Sequence, residues 1–170
     1  MVLTKSELVA SLQDEVRILL HLASKVDRSQ LDYRPTRKQR STIELLRYLS
    51  MMGPTFVHYT MTGSQDPGVW NEAAKAADAR DFDQTISAIA AQHDVYVSLL
   101  QSVSDADFRV EVDSISGGKM SRGSMLVNMV LCGCAAYRTQ LFLYLKACGR
   151  EDLSTMNLWA GVDPPTAVAV

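Results

Sequence analysis

Apolar residues recur every three to four positions in three stretches of the chain, a spacing that is typical of a helix with one buried face. Each stretch opens with a capping box, in which an N-cap side-chain oxygen is followed three residues later by glutamate or glutamine. The boxes are Thr4–Glu7, Ser41–Glu44 and Asp81–Gln84, and the first helix is predicted to reach about Lys25–Asp27. The candidate core residues are Leu8, Leu12, Val16, Leu19, Leu20, Ala23, Val26, Leu45, Leu46, Leu49, Met52, Phe56, Phe82, Ile86, Ile89, Ala90, Tyr96, Leu99, Leu100 and Val103. The pattern predicts three long helices that pack on one another.

A fourth stretch, Met125–Cys148, is apolar on nearly every side, which is typical of a helix buried all round. Ser121 is its predicted N-cap, and Gly149 is the predicted left-handed residue at its end. A membrane span is not predicted, because polar residues interrupt the stretch before ~18 apolar residues accumulate. These residues are Asn128, Arg138 and Gln140. The stretch is predicted to be the central helix of a bundle or one half of a subunit interface.

The connections carry three further signals. Gly53-Pro54 predicts a kink or break in the second helix, because proline lacks an amide donor and clashes with the preceding turn. His58 and Tyr59 would then lie beyond the break. Val69–Ala77 predicts a short helix over the bundle end, and Arg109–Asp113 alternates in the manner of a short extended strand.

Together these elements predict an all-α protein, a four-helix bundle with a short helix and a short extended segment in its connections. The bundle is predicted to occupy residues 1–150. Residues 151–170 have no helical period, so they are predicted to form an irregular tail that packs on the bundle. The length of 170 residues is that of a single domain.

The formal net charge of −2 offers no electrostatic case for a nucleic-acid partner. One local basic run is the exception, and it precedes the second helix: Arg34, Arg37, Lys38 and Arg40. We interpret it as a solvated loop. A role in binding phosphate or an acidic ligand is the weaker alternative.

All three cysteines, Cys132, Cys134 and Cys148, fall in the fourth stretch. On a helix the first two point about 200° apart, so they can neither form a disulfide nor chelate one ion together. An odd number of cysteines at predicted buried positions indicates a reducing compartment. The first residues lack the pattern of a signal peptide, so the predicted location is the cytoplasm.

Three features of the chain resemble the DinB/YfiT-like superfamily of bacterial four-helix proteins. Leu31–Pro35 ahead of Ser41–Leu49 is similar to the family's entry to its second helix. Ala136–Gly149 resembles the family's close of its fourth helix, and the order and length of the helices agree as well. The resemblance spans nearly the whole chain and implies the family's four-helix bundle.

The resemblance also implies a divalent metal, which the family usually holds with one histidine from helix 2 and a His-x-x-x-His pair from helix 4. Those positions fall on Tyr48, Gly133 and Tyr137 here, and none of them is histidine. Glycine has no side chain to coordinate a metal, and neutral tyrosine, with a pKa near 10, is a poor ligand. We therefore predict no family metal centre and no cofactor.

The three histidines present are His21, His58 and His93, on three different helices. His21 is predicted at the edge of the core and His93 at an exposed or interfacial position. Asp94 is predicted to be poorly placed to orient His93, because adjacent helix residues point about 100° apart. Convergence of the three histidines on another metal site is left open as the weaker alternative, since ligand clusters normally show local spacing.

The face without metal ligands is predicted to be lined by Tyr48, Met52, Gly133, Tyr137 and Gln140. Two phenols opposite a glycine gap can orient a small, partly apolar ligand. The favoured alternative is that the tyrosines simply fill the space that histidines and metal take elsewhere. Cys132 and Cys134 flank this face, and their apolar neighbours predict inert packing thiols.

Three functional hypotheses follow. The first is a metal-free bundle that binds a small ligand or has a stress-associated role, as a homodimer. The second is an enzyme like the thiol-dependent S-transferases and isomerases of the family, acting by a metal-independent route with Tyr48 or Tyr137 as the acid. The third is a purely structural dimerisation module. The small residues of Gly133–Ala136 allow close approach of a helix from the same chain or from a second copy. Neither nucleic acid nor membrane is a predicted partner.

Overall fold

The computed structural model describes residues 3–64, 66–114 and 117–165. Its long helices form a bundle around one apolar core. They are α1 (Lys5–Ala23), α2 (Thr42–Thr62), α4 (Phe82–Leu100) and the last helix (Arg122–Ala147). A shorter helix, α3 (Pro67–Asp78), connects α2 to α4 and packs on α2. The predicted bundle with a short helix in its connections is confirmed.

All three predicted capping boxes are present at the starts of α1, α2 and α4. In the Ser41–Glu44 box the Ser41 amide donates to the Glu44 carboxylate at 2.7 Å. Helix α1 ends at Ala23, slightly before the predicted end. The Ser24 hydroxyl donates to the carbonyl of His21 at 2.7 Å, and the next two amides bond three residues back, so the chain leaves the helical pattern there.

Helix α2 continues through Gly53-Pro54, so the predicted break is wrong, and His58 and Tyr59 lie on the same helix. An interior proline costs about 3 kcal/mol of helix stability when nothing offsets it. Here Met52 and Val57, on either side of the proline, are 1 % and 0 % exposed. Burial of these side chains against the bundle holds the helix together across the missing hydrogen bond.

The predicted strand is shorter than expected and belongs to a hairpin. Strand β1 (Glu111–Asp113) pairs antiparallel with β2 (Lys119–Ser121), and Val112 lies opposite Met120. Arg109 does not belong to the strand, contrary to the prediction, because it ends a 3₁₀ turn, Asp107–Arg109. The amide of Ser104 donates to the Asp107 carboxylate at 2.7 Å, and this local bond competes with extended structure.

The last helix is capped by Ser121 and followed by Gly149 at φ 94°, as predicted. The prediction that it is buried on nearly every side is wrong. Leu143 is 58 % exposed, and the buried residues of the helix lie on one side: Met125, Leu126, Val130, Arg138, Leu141, Tyr144 and Leu145. The helix is long and apolar enough to cross a membrane by length and composition alone, which is weak support for a membrane span.

A π-helical stretch, Val127–Leu131, interrupts the α-helical pattern of the last helix.

The tail that follows the last helix packs on α1 through one helical turn, Met156–Ala160. This turn was not expected, because the tail was predicted to be irregular. Asn157 in this turn is buried, and its side-chain amide donates to Asp163 at 2.9 Å and to Nε2 of His21 at 3.1 Å. The predicted tail beyond residue 165 lies outside the described residues.

Candidate functional site

Tyr48 of α2 and Tyr137 of the last helix meet edge to face, with ring centroids 4.8 Å apart. Burial raises the pKa of Tyr48, and its hydrogen bond with Tyr137 raises it further. Both effects favour the neutral phenol at physiological pH. Two of the three positions where the family carries histidine therefore meet in space as a pair of phenols in edge-to-face contact.

Gly133, the third of these positions, lies beside Met52. A Cβ atom at Gly133 would lie 3.4 Å from Cε and 3.5 Å from Sδ of Met52, whose side chain is 1 % exposed. The thioether therefore occupies the space next to the glycine. Gln140 lies on the following turn, where its amide donates to the hydroxyl of Tyr144 at 2.5 Å. The structure thus brings four of the predicted positions together and directs Gln140 to a different partner.

Arg40 covers the tyrosine pair from outside. Its guanidinium carbon lies 3.9 Å from the ring centroid of Tyr48 and 5.9 Å from that of Tyr137. Such a cation–π contact is strongest where the cation has no competing partner. In the described part of the chain no carboxylate lies within ion-pair distance of Arg40, whereas Arg34 of the same basic run pairs with Glu44 at 3.2 Å.

A pocket of about 290 Å³ opens on the other side of Tyr48, between α2 and α3. Trp70 of α3 forms one wall, with its ring centroid 6.1 Å from that of Tyr48. The pocket is lined by Arg40, Glu44, Tyr48, Met51, Trp70, Ala74, Ala77 and Asp78. Accessible space therefore lies on the α3 side of Tyr48, which is one of the residues predicted to line a ligand site.

The Glu44 carboxylate in this pocket already accepts the Ser41 amide and pairs with Arg34. Its pKa is lowered by the hydrogen bond from the Ser41 amide and by the charge of Arg34. The carboxylate is thus ionised and its charge is balanced within the loop. Arg40 is the cation of this pocket, it has no ion-pair partner among the described residues, and it contacts the aromatic wall.

The divalent metal implied by the resemblance does not fit these residues. Gly133 offers no ligand atom, and the Met52 thioether takes the space beside it. The guanidinium over Tyr48 adds a positive charge that opposes a nearby cation. In residues 3–64, 66–114 and 117–165, no group of three or more histidine, cysteine, aspartate or glutamate side chains is placed to hold a metal ion.

The three histidines have separate neighbours. His21 contacts Asn157, His58 lies against the ring of Tyr59, and His93 contacts Gln13 of α1. The prediction that Asp94 is poorly placed to orient His93 is wrong, because Nδ1 of His93 lies 3.1 Å from the Asp94 carboxylate. Both side chains are exposed, so their torsions are free to turn the two groups toward each other despite the angle between their Cβ positions.

The cysteines differ in exposure. Burial raises the pKa of Cys134 to about 12, which makes it an unreactive packing thiol, as predicted. Cys132 is exposed, so the expectation that all three cysteines occupy buried positions is wrong. It lies on the outward side of a helix whose apolar character did not distinguish a core face from an exposed one.

A buried polar cluster lies deeper in the bundle, and its members are too far apart in the sequence to be predicted as a unit. Arg138 of the last helix is 8 % exposed, and its Nη1 atom lies 3.4 Å from the carboxylate of Glu15 on α1. Nearby, Tyr96 of α4 donates to Gln92 at 3.2 Å, and Gln92 donates to the Leu49 carbonyl at 2.8 Å. The one available signal was that Arg138 interrupts an apolar stretch, since a buried arginine requires a partner.

Comparisons with known proteins show a likeness to a solved structure. No protein-family model matches the chain, and no curated protein matches it. Among solved structures, the crystal structure of YjoA, a DinB-like protein from Bacillus subtilis, superposes with a TM-score of 0.64 and 15 % sequence identity. The match covers 86 % of this chain and 95 % of that chain. The protein therefore has the all-α bundle fold of a DinB-like protein.

Proposed function

We propose that the protein binds a small, partly apolar molecule in the pocket beside Tyr48, without a chemical step on it. The observation that carries this proposal is the unpaired guanidinium of Arg40, stacked 3.9 Å over Tyr48 at the edge of the pocket. Small-molecule sites combine apolar and aromatic walls with a few placed polar groups, and this pocket contains both.

The pocket defines the shape of the ligand. Trp70 and Tyr48 supply flat apolar walls, and Met51 and alanines of α3 add further apolar surface. The charged groups of the lining are Arg40, Glu44 and Asp78. Stacking on Tyr48 orients the plane of the guanidinium, so its N–H groups are available to an acceptor at the edge of the ring. A volume of about 290 Å³ is near the lower limit for ligand pockets. The ligand class is a small aromatic or cyclic compound that carries a carbonyl-type acceptor.

Benzamide combines a ring with such an acceptor and serves as the test probe. In an NMR titration of the full chain, we expect shifts at the indole of Trp70 and at Tyr48. We expect Arg40→Met to weaken binding about tenfold, because it removes a charged hydrogen-bond donor but keeps the apolar stem.

Arg37→Met is the matched control, since Arg37 belongs to the same exposed basic run but does not line the pocket. Equal affinities of the two variants would contradict the proposal. So would shifts confined to Trp159, which is 72 % exposed elsewhere on the surface.

The enzymatic alternative is less well supported by these side chains. Burial and Tyr137 raise the pKa of Tyr48, so its phenol is a weaker acid than free tyrosine. The raised pKa of Cys134 likewise works against a thiolate. A stress-associated role and a cytoplasmic location remain predictions.

We also propose that the protein forms a homodimer through the outward face of the last helix. The exposed residues there recur at intervals of three or four and form one stripe without charge: Cys132, Ala136, Thr139, Leu143 and Ala147. Thr139 donates its hydroxyl to the carbonyl of Ala135 at 2.8 Å, so even this polar side chain presents mainly its methyl group. A stripe of small and apolar residues at this spacing suits close packing against the same stripe of a second copy.

We expect Leu143→Glu to convert the dimer to a monomer, because it places a charge at the largest apolar side chain of the stripe. Light scattering coupled to gel filtration measures the mass directly. Val97→Glu is the control, since Val97 is 46 % exposed on α4, outside the stripe. A wild-type protein that is monomeric at high micromolar concentration would contradict dimerisation through this face.

A further inference from the structure

A second pocket, of about 390 Å³, lies where the start of the last helix meets the N-terminal end of α1. It is distinct from the pocket beside Tyr48 and shares no lining residue with it. Its inner wall is apolar and includes Leu8 and Phe108, which are 2 % and 8 % exposed. Val127 of the last helix completes that wall.

Two local features of the backbone border this pocket. The 3₁₀ turn that carries Phe108 approaches the helix start closely at Gly123, where a Cβ atom would lie 3.3 Å from the Phe108 carbonyl oxygen. The π-helical stretch begins at Val127, so the pocket wall coincides with the irregular part of the helix. Single π-helical turns within α-helices occur frequently at functional sites.

The polar rim of the pocket carries one carboxylate, Asp105, and one guanidinium, Arg109. The Asp105 carboxylate accepts the backbone amide of Lys5 at 2.7 Å, so one of its oxygens is already used within the fold. Arg109 has no carboxylate within ion-pair distance, and the amide of Asn128 has no hydrogen-bond partner, in the portions of the chain that the structure describes. Both side chains are exposed at the mouth of the pocket and can donate to an incoming anion.

We propose that this second pocket binds a small monocarboxylate with an apolar body. The hydrocarbon part packs on Leu8, Phe108 and Val127, and the carboxylate accepts hydrogen bonds from Arg109 and Asn128. An apolar interior with one available guanidinium at its mouth favours this class over neutral apolar compounds, which leave Arg109 without an acceptor. It also favours it over dianions, whose second charge has no cationic partner and lies near the Asp105 carboxylate. The inference does not rest on the proposed ligand at Tyr48.

The test uses octanoate as the probe and octanol, the uncharged analogue of the same chain length, as its comparison. In isothermal titration calorimetry of the full chain, we expect octanoate to bind at least tenfold more tightly than octanol. Arg109→Met is expected to weaken octanoate about tenfold and to leave octanol unchanged, because only the charged contact is lost.

Two controls separate this site from others. Lys119→Met removes an exposed cation on the nearby hairpin that does not line the pocket, so octanoate affinity should not change. Arg40→Met should also leave octanoate unaffected, which distinguishes the result from binding beside Tyr48. Equal affinity for octanoate and octanol, or no effect of Arg109→Met, would overturn the proposal.

Discussion

Replacement of Gly53 by alanine is expected to lower the free energy of unfolding by about 1–3 kcal/mol, although alanine is the better helix former. A Cβ atom at this position would overlap the hydroxyl oxygen of Tyr96 and would lie 3.1 Å from its Cζ atom. Tyr96 is 1 % exposed, and its hydroxyl donates to Gln92, so the ring cannot move aside freely. The gain of about 1 kcal/mol in helix propensity is too small to offset this overlap.

Urea denaturation of two matched glycine variants checks this result. Gly133→Ala makes the same chemical change in a helix, but its Cβ would meet only the flexible end of Met52, at 3.4 Å. We expect it to be neutral or slightly stabilising. Adding Tyr96→Phe to Gly53→Ala should recover part of the loss, since it removes the overlapping oxygen. Equal stabilities of the two alanine variants would show that Gly53 is not sterically required.

The helix starts could be predicted from the sequence because capping is local. In the Asp81–Gln84 box, donor and acceptor lie within four residues, so no other part of the fold is needed to form it. Pro54 shows the limit of this reasoning. The local cost of the proline is real, but the buried contacts that offset it come from other helices and cannot be read from neighbouring residues.

The candidate site could also be predicted only in part: its positions on the long helices could be predicted from the sequence, but its residues in the connections could not. Tyr48 and Tyr137 lie on long helices whose order follows from the pattern, and the structure places them in contact. Arg40 and Trp70 come from connections, whose paths depend on packing that has no sequence period. No local feature distinguishes Arg40 from the other three cations of its run. The location of the pocket therefore had to come from the structure.

The apolar last helix shows a different limit. Continuous apolarity indicates that a face avoids water, but it does not indicate whether this chain or a second copy covers it. The exposed Leu143 and the buried Leu141 are equally apolar. Arg138, the one charge on the inner side of the helix, was the more informative residue, because its position inside the bundle requires Glu15.

Replacement of Arg138 by methionine is expected to destabilise the protein by about 3 kcal/mol at neutral pH. Methionine keeps most of the apolar stem but leaves the Glu15 carboxylate, which is 18 % exposed, without its counter-charge. Removing one partner of a buried ion pair is costly because the remaining charge is not solvated. Arg28→Met is the control: Arg28 pairs with Asp83 on the surface, where both groups are more than half exposed, so little change is expected.

The pH dependence distinguishes an unpaired charge from lost packing. Burial raises the pKa of Glu15, and Arg138 opposes that rise, so in Arg138→Met the pKa rises further. The folded variant then binds the Glu15 proton at a pH where the unfolded chain, with its ordinary value of 4.5, has released it. The stability deficit relative to wild type should consequently shrink as the pH falls from 7 toward 4.5.

A second substitution tests the same point. Glu15→Gln in the Arg138→Met background should restore most of the stability at pH 7 and abolish the pH dependence of the deficit. A deficit that does not change with pH, and that Glu15→Gln fails to relieve, would mean that Arg138 stabilises the bundle through the packing of its stem.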